Sequence, residues 1–178
     1  AMEEQFHANV FGVHQLNQRL LPEMRSRGYG RIVIVTSVLG VVAMRGRGAY
    51  VASKFALEGL ADTLRLELMG SGIDVSLVEP GPIETHFRAN ALEALHRYVD
   101  PDVSAHRAFY VRFIDGLSAA RSTNRFARAP EACLPALFDA IESKAPKARY
   151  TVTTPARVFP ILKRLLPARW LDRILVKG

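Results

Sequence analysis

RIVIVTS (Arg31–Ser37) is rich in β-branched residues and apolar nearly throughout, and IDVSLVEPGP (Ile73–Pro82) reads as a second buried strand that ends in a rigid Pro-Gly-Pro turn. A strand with one wet face alternates apolar and polar side chains. A strand that is apolar throughout needs cover on both faces, as in a parallel sheet. Between the two runs lies a helical pattern from about Ala49 to Met69, with Phe55, Leu57, Leu60, Leu64 and Leu68 at helical spacing and GSG closing it. Strand, helix and strand in that order make a βαβ unit with parallel strands. An α/β fold follows, and ligands of such folds bind beyond the carboxyl ends of the strands.

The remaining segments extend the pattern. Residues 2–27 read as one amphipathic helix, with Phe6, Val10, Val13, Leu16, Leu20 and Leu21 recurring at three- and four-residue steps and RGYG ending it. Helical patterns follow around 88–98 and 103–119, and another opens on Pro130, a favoured first-turn residue, and runs to about Ser143. RYTVT (Arg149–Thr153) is a third short strand. The sheet therefore has about three strands, and RIVIVTS is expected at an open edge whose unpaired backbone groups invite another chain. Residues 1–154 are read as one α/β domain and residues 155–178 as a helical tail broken at Pro167.

Charge divides the chain in the same way. The net charge is +7, yet nine of the 24 Lys and Arg residues lie between Lys144 and Gly178 beside a single acid, Asp172. A neutral body with a basic end argues against a nucleic-acid-binding domain. In the tail, Val158, Ile161, Leu162 and Leu165 form one apolar stripe, and Trp170, Leu171, Ile174 and Leu175 another, with Lys163, Arg164, Arg169, Arg173 and Lys177 elsewhere. Docking over the substrate cleft or against another subunit is the favoured reading, and peripheral contact with anionic lipid is the alternative. No apolar run is long enough for a membrane span, and the N-terminus lacks the pattern of a secretory signal. With one cysteine, Cys133, read as a small core residue, the expectation is a cytoplasmic protein.

The chemistry concentrates at the end of the first strand. Ser37, Tyr50 and Lys54 are spaced by thirteen and four residues, and a lysine four residues after a tyrosine lies one helical turn away. A tyrosine with an ordinary pKa of about 10 is a poor acid–base group near neutrality. An ammonium one turn away stabilises its phenolate, and a strand-end serine can hold a substrate oxygen beside it. Each residue alone has a bland explanation; the set, followed by EPGPIET after the next strand, does not. Arg45 and Arg47, between Ser37 and Tyr50, read as solvated and receive no role. Nothing in the pattern calls for a metal.

These motifs resemble the C-terminal part of the short-chain dehydrogenase/reductase family, strongly over residues 5–87. NVFG (Asn9–Gly12), Ser37, YVASK (Tyr50–Lys54) and PGPIET (Pro80–Thr85) carry the resemblance. It implies a Rossmann-type fold and NAD- or NADP-dependent oxidation of an alcohol or reduction of a carbonyl. Tyr50 is then the general acid or base, Lys54 its pKa-lowering partner and a ligand of the nicotinamide ribose, and Ser37 the substrate-orienting hydroxyl. Asn9 acts through a backbone kink and a water leading to Lys54. Pro80, Gly81 and Ile83, with the Thr85 hydroxyl, orient the nicotinamide carboxamide. The family's opening strand–Gly-rich turn–helix, which holds the pyrophosphate and selects NAD from NADP, has no counterpart in the sequence. The fold is therefore expected to be an incomplete Rossmann-type sheet lacking its N-terminal dinucleotide-binding half, in a shortened chain that is weak or inactive alone. The ending resembles the hydroxysteroid- and retinol-dehydrogenase-like branch, which suggests an apolar alcohol or ketone as the small-molecule substrate, and the open sheet edge suggests a homo-oligomer. A non-catalytic remnant serving as an interaction module, through the open edge and the tail, is the second reading.

Overall fold

The computed structural model of the chain describes residues 1–119 and 124–176. Strands β1 (Gly30–Val35), β2 (Ile73–Pro80) and β3 (Arg149–Val152) form one parallel sheet in the order β1–β2–β3. Helix α3 (Gly48–Glu67) connects β1 to β2, and α4 (Phe87–Tyr98), α5 (Arg107–Ser118) and α6 (Leu134–Glu142) lie between β2 and β3. Helices α1 (Met2–Phe6) and α2 (Gly12–Ser26) precede the sheet, and α7 (Thr154–Leu165) and α8 (Ala168–Leu175) follow it. This is the α/β architecture that the strand pattern predicts.

Both faces of the sheet are covered over β2, where residues 75–79 are buried without alternation, whereas the edge strand β1 alternates and leaves Val35 exposed. On one face Ile32, Ile34, Ile73, Val75 and Leu77 form a core with Leu57, Ala61 and Leu68 of the α3 segment, and Val13, Leu21 and Met24 of α2 pack against it. On the other, Val78, Tyr150 and Val152 meet Ala140 of α6, with Val33, Ala136 and Leu137 alongside. Leu77 is fully buried at the centre of the sheet; truncating such a side chain to alanine costs about 2–5 kcal/mol. Gly72 closes the loop after α3 with φ of +78°, and a Cβ there would lie 2.0 Å from the Gly28 carbonyl oxygen. Only glycine fits that position.

The first helix departs from the pattern in two ways. A π-helical turn, His7–Phe11, separates α1 from α2 where one continuous helix is expected. Leu16 and Leu20, read as part of the buried stripe, are exposed. The sheet reaches only the side of α2 that carries Val13, Leu21 and Met24. Cys133 sits half-buried in a 3-10 turn (Pro130–Cys133) ahead of α6, and burial raises its thiol pKa. The tail breaks at Pro167 as predicted. Ala156 of α7 packs into a cluster with Val38, Leu39 and Val42, just beyond β1, joined by Phe159 and by Leu175 of α8.

Candidate active site

The site forms where β1 and β2 end. Two residues past β1, Ser37 is buried and caps a single 3-10 turn (Val38–Gly40), its Oγ accepting a hydrogen bond from the Leu39 amide at 3.1 Å. Tyr50 lies in the first turn of α3 and Lys54 one turn further along. Arg47, Tyr50, Lys54 and Glu58 follow one another at three- and four-residue steps, so they share one face of the helix. That face looks back at the end of β1: the Lys54 ammonium donates to the Val35 carbonyl at 3.0 Å and lies 5.7 Å from the centre of the Tyr50 ring. The structure thus brings Ser37, Tyr50 and Lys54 together.

Tyr50 packs edge-on against Phe87, the first residue of α4, with ring centroids 5.1 Å apart. Burial raises its pKa above the ordinary tyrosine value, while a hydrogen bond with the Ser37 side chain and the charge of Arg47 pull it back. Burial lowers the Lys54 pKa, and the nearby Glu58 carboxylate opposes that shift. The cationic pull on Tyr50 thus comes from Arg47, where the sequence reading assigns it to Lys54. Read from sequence as solvated and without a role, Arg47 is half-buried, with its guanidinium carbon 5.4 Å from the centre of the Phe87 ring. Its Nε has no hydrogen-bond partner among the described residues. Burial lowers its pKa, Tyr50 opposes that shift, and Arg88 reinforces it. Arg45 instead lies 4.2 Å from the centre of the Phe109 ring.

Asn9 occupies the middle of the π-helical turn, at the position where the resemblance implies a backbone kink. Its Nδ2 donates to Ser53 Oγ at 3.0 Å, and Ser53 Oγ donates to the Tyr50 carbonyl at 2.8 Å. Side-chain hydrogen bonds therefore tie Asn9 to the backbone of the Tyr50 turn through Ser53, a buried serine that the motif spacing does not single out.

The β2 end supplies the last four predicted residues. Pro80 ends the strand, paired in register with Val152, and the Gly81 amide donates to the Val152 carbonyl at 2.9 Å. A Cβ on Gly81 would lie 2.2 Å from Thr153 Oγ, so the tail's first residues are pressed against this turn. Thr153 itself has φ of +85°. Ile83 forms a parallel bridge to Arg128. Thr85 is exposed, and its Oγ accepts from the Phe87 amide at 3.2 Å, closing the turn into α4.

A second charge cluster, formed by residues distant in sequence, lies under α3. Arg149, the first residue of β3, bonds Glu58 and Asp62 of α3 and Glu79 of β2, the Asp62 contact at 2.6 Å. Glu58 and Glu79 are buried. Burial raises the Glu79 pKa and the hydrogen bond from Arg149 lowers it. Burial likewise works against the Arg149 charge, but Glu58 and Glu79 hold its pKa above the usual guanidinium value. The cluster braces α3 against β2 and β3.

A basic helix face, a strand-end hydroxyl and a half-buried phenol thus meet at the carboxyl ends of parallel strands, where α/β proteins bind ligands. Comparison with known proteins narrows this. The profile of the family described as short chain dehydrogenase matches residues 1–96. An uncharacterized oxidoreductase, YbbO, of Escherichia coli K12 is 45% identical over 176 residues, 98% of this chain and 58% of that protein. An NADPH-dependent 3-dehydrocapnine reductase of Ornithobacterium rhinotracheale is 32% identical over 180 residues, 99% of this chain and 62% of that protein. Human 17-beta-hydroxysteroid dehydrogenase type 1 is 33% identical over 159 residues, 89% of this chain and 47% of that protein. Among solved structures, a short-chain dehydrogenase from Streptomyces avermitilis superposes with a TM-score of 0.66 at 25% identity, covering 99% of this chain and 58% of that one. The chain belongs to the short chain dehydrogenase family. It spans roughly half to three fifths of the length of these relatives.

Proposed function

We propose that this chain carries the proton-transfer half of an NAD(P)-dependent oxidoreductase that interconverts alcohols and carbonyl compounds. The observation that carries this reading is the convergence of Ser37, Tyr50 and Lys54 at the end of β1. In reduction, the Ser37 hydroxyl holds the substrate oxygen while the Tyr50 phenol gives it a proton; in oxidation, the same oxygen of Tyr50 receives the proton back. The raised Tyr50 pKa keeps the phenol protonated near neutrality, the form that reduction requires. Lys54 and Arg47 stabilise the phenolate left behind, and Asn9, through Ser53, fixes the turn of α3 that presents Tyr50.

The residues fit the nicotinamide end of a dinucleotide. Thr85 uses its oxygen as an acceptor for the Phe87 amide and keeps its own O–H for a carboxamide. Pro80, Gly81 and Ile83 line the turn beside it, and the Lys54 ammonium retains hydrogens beyond the one it gives Val35. When bound, such a cofactor supplies or accepts the hydride. The sequence has no Gly-rich turn between a strand and a helix to grip a pyrophosphate. The chain by itself is therefore expected to bind NAD(P)H weakly and turn over slowly.

The relative named as a 17-beta-hydroxysteroid dehydrogenase supports an apolar alcohol or ketone as substrate. The exposed Leu16 and Leu20 of α2 and Leu60 of α3 support homo-oligomerisation. A single half-buried thiol accords with a reducing, cytoplasmic setting. The test compares NADPH and NADH oxidation by the chain and by Tyr50→Phe across a panel of ketones and aldehydes. The parent is expected to be slow but measurably faster; equal rates would refute the assignment of Tyr50.

A further inference from the structure

The tail helices carry more apolar surface than the fold covers. In α7, Pro155, Ala156, Phe159 and Leu162 turn toward the body, whereas Val158, Ile161 and Leu165 are exposed, Leu165 by 72%. In α8, Leu171 is buried and Leu175 packs inward, while Trp170 (62%) and Ile174 face solvent. At about 100° per residue, the outward residues of each helix form a stripe distinct from its docked stripe. The sequence pattern merged the two: Leu162 and Leu171, read as one stripe with Ile161 and Trp170, belong to the docked side.

Arginines border the outward stripes: Arg157 and Arg164 on α7, Arg169 and Arg173 on α8, all exposed. None of the four forms an ion pair among the described residues. Lys163 differs, for its ammonium donates to the Val41 carbonyl and lies 4.5 Å from the centre of the Phe55 ring. The one acid of the two helices is Asp172.

We propose that α7 and α8 are an interfacial anchor for an anionic lipid bilayer, with Val158, Ile161, Leu165, Trp170 and Ile174 entering the headgroup–acyl boundary and the four arginines meeting lipid phosphates. An apolar stripe edged by unpaired cations and carrying a tryptophan is the layout of a helix lying in a membrane surface. Charge decides between lipid and a second copy of the chain. Two such faces would press four arginines against four arginines, whereas an anionic surface neutralises them. Among the described residues no helix is long and apolar enough to cross a membrane, so the contact is peripheral.

The test is independent of catalysis and uses the whole chain. Vesicles of phosphatidylglycerol with phosphatidylcholine, and of phosphatidylcholine alone, are sedimented with the protein. Trp170 is the chain's only tryptophan, so its fluorescence reports insertion directly. The expected result is co-sedimentation with the anionic vesicles about tenfold stronger than with the neutral ones, a blue shift of Trp170 emission, and quenching by brominated acyl chains. Ile161→Glu with Leu165→Glu should abolish the blue shift and weaken binding about tenfold, with the circular dichroism spectrum unchanged. Leu165→Ser, at the most exposed position, serves where the double variant fails to fold and should show a smaller loss in the same direction. Absence of binding to anionic vesicles at low salt would overturn the proposal. So would salt-reversible binding without a Trp170 shift, or a double variant that breaks an oligomer while vesicle binding stays intact.

Discussion

Arg149 packs against α3 and Arg47 stands at that helix's N-terminus, and their surroundings differ. Arg149 meets three carboxylates, Glu58, Asp62 and Glu79, two of them buried. Arg47 meets an aromatic ring and a phenol, and forms no ion pair among the described residues. A desolvated cation with its counter-charges in place is part of the scaffold, and removing it leaves those counter-charges stranded. One without them keeps its field for whatever passes beside it. The same helix thus has a braced stretch at Glu58 and Asp62 and, at its N-terminal end, a cation, Arg47, with no carboxylate partner among the described residues.

Four substitutions test that contrast, and the largest effect is on chemistry. Tyr50→Phe is expected to slow carbonyl reduction by about 10²–10⁴-fold, the range for losing a positioned acid–base group, while the thermal midpoint moves little. Next comes Arg149→Met, expected to destabilise the chain by about 2–3 kcal/mol in urea unfolding. That is the low side of the range for breaking a buried pair, because Arg149 is 37% exposed and water screens part of its charge. The loss should shrink as pH falls. Burial already raises Glu79, and without Arg149 its pKa rises further, so the folded state holds that proton more tightly than the unfolded chain. Stability linked to such a group is present below the unfolded pKa and is lost as pH climbs through the folded one.

Arg47→Met should leave stability nearly intact and move the Tyr50 titration upward, read as the Tyr50→Phe difference in a spectrophotometric tyrosinate titration. An unchanged or lowered Tyr50 pKa would show that Arg47 exerts no pull on the site. The smallest effect is expected at Thr85→Ala, about 0.5–1 kcal/mol from the hydroxyl that closes the turn into α4; a larger loss would mean that the turn is part of the scaffold.

The strands and α3 were legible because their signal is local. β1 is rich in β-branched residues and apolar nearly throughout, β2 runs into a Pro-Gly-Pro turn, and Tyr50 and Lys54 declare their relation by a four-residue step. Ser37 could be placed because it follows a recognisable strand. Relations between distant charges leave no such mark: nothing in the sequence joins Arg149 to Glu58, 91 residues earlier, and a charged residue in a helix reads as solvated by default. Arg47 was misread for the same reason. The irregular turn at Asn9 is implied only by the resemblance of NVFG, because apolar spacing does not register one extra residue in a turn. In the tail, two stripes on each helix overlap in a linear pattern, and only docking against Val38, Leu39 and Val42 separates them.

The contact between Gly81 and Thr153 also restricts how chains of this kind can diverge. Thr153 Oγ lies where the first carbon of any side chain at position 81 would go, and Thr153 holds a backbone conformation that a β-branched residue rarely adopts. Position 81 is closed to alanine while residue 153 keeps its hydroxyl there. A mutational route that begins with Gly81→Ala meets a clash, whereas one that begins with Thr153→Gly relieves an unfavourable dihedral and opens the way. The order of the two steps, more than their sum, decides which route is passable.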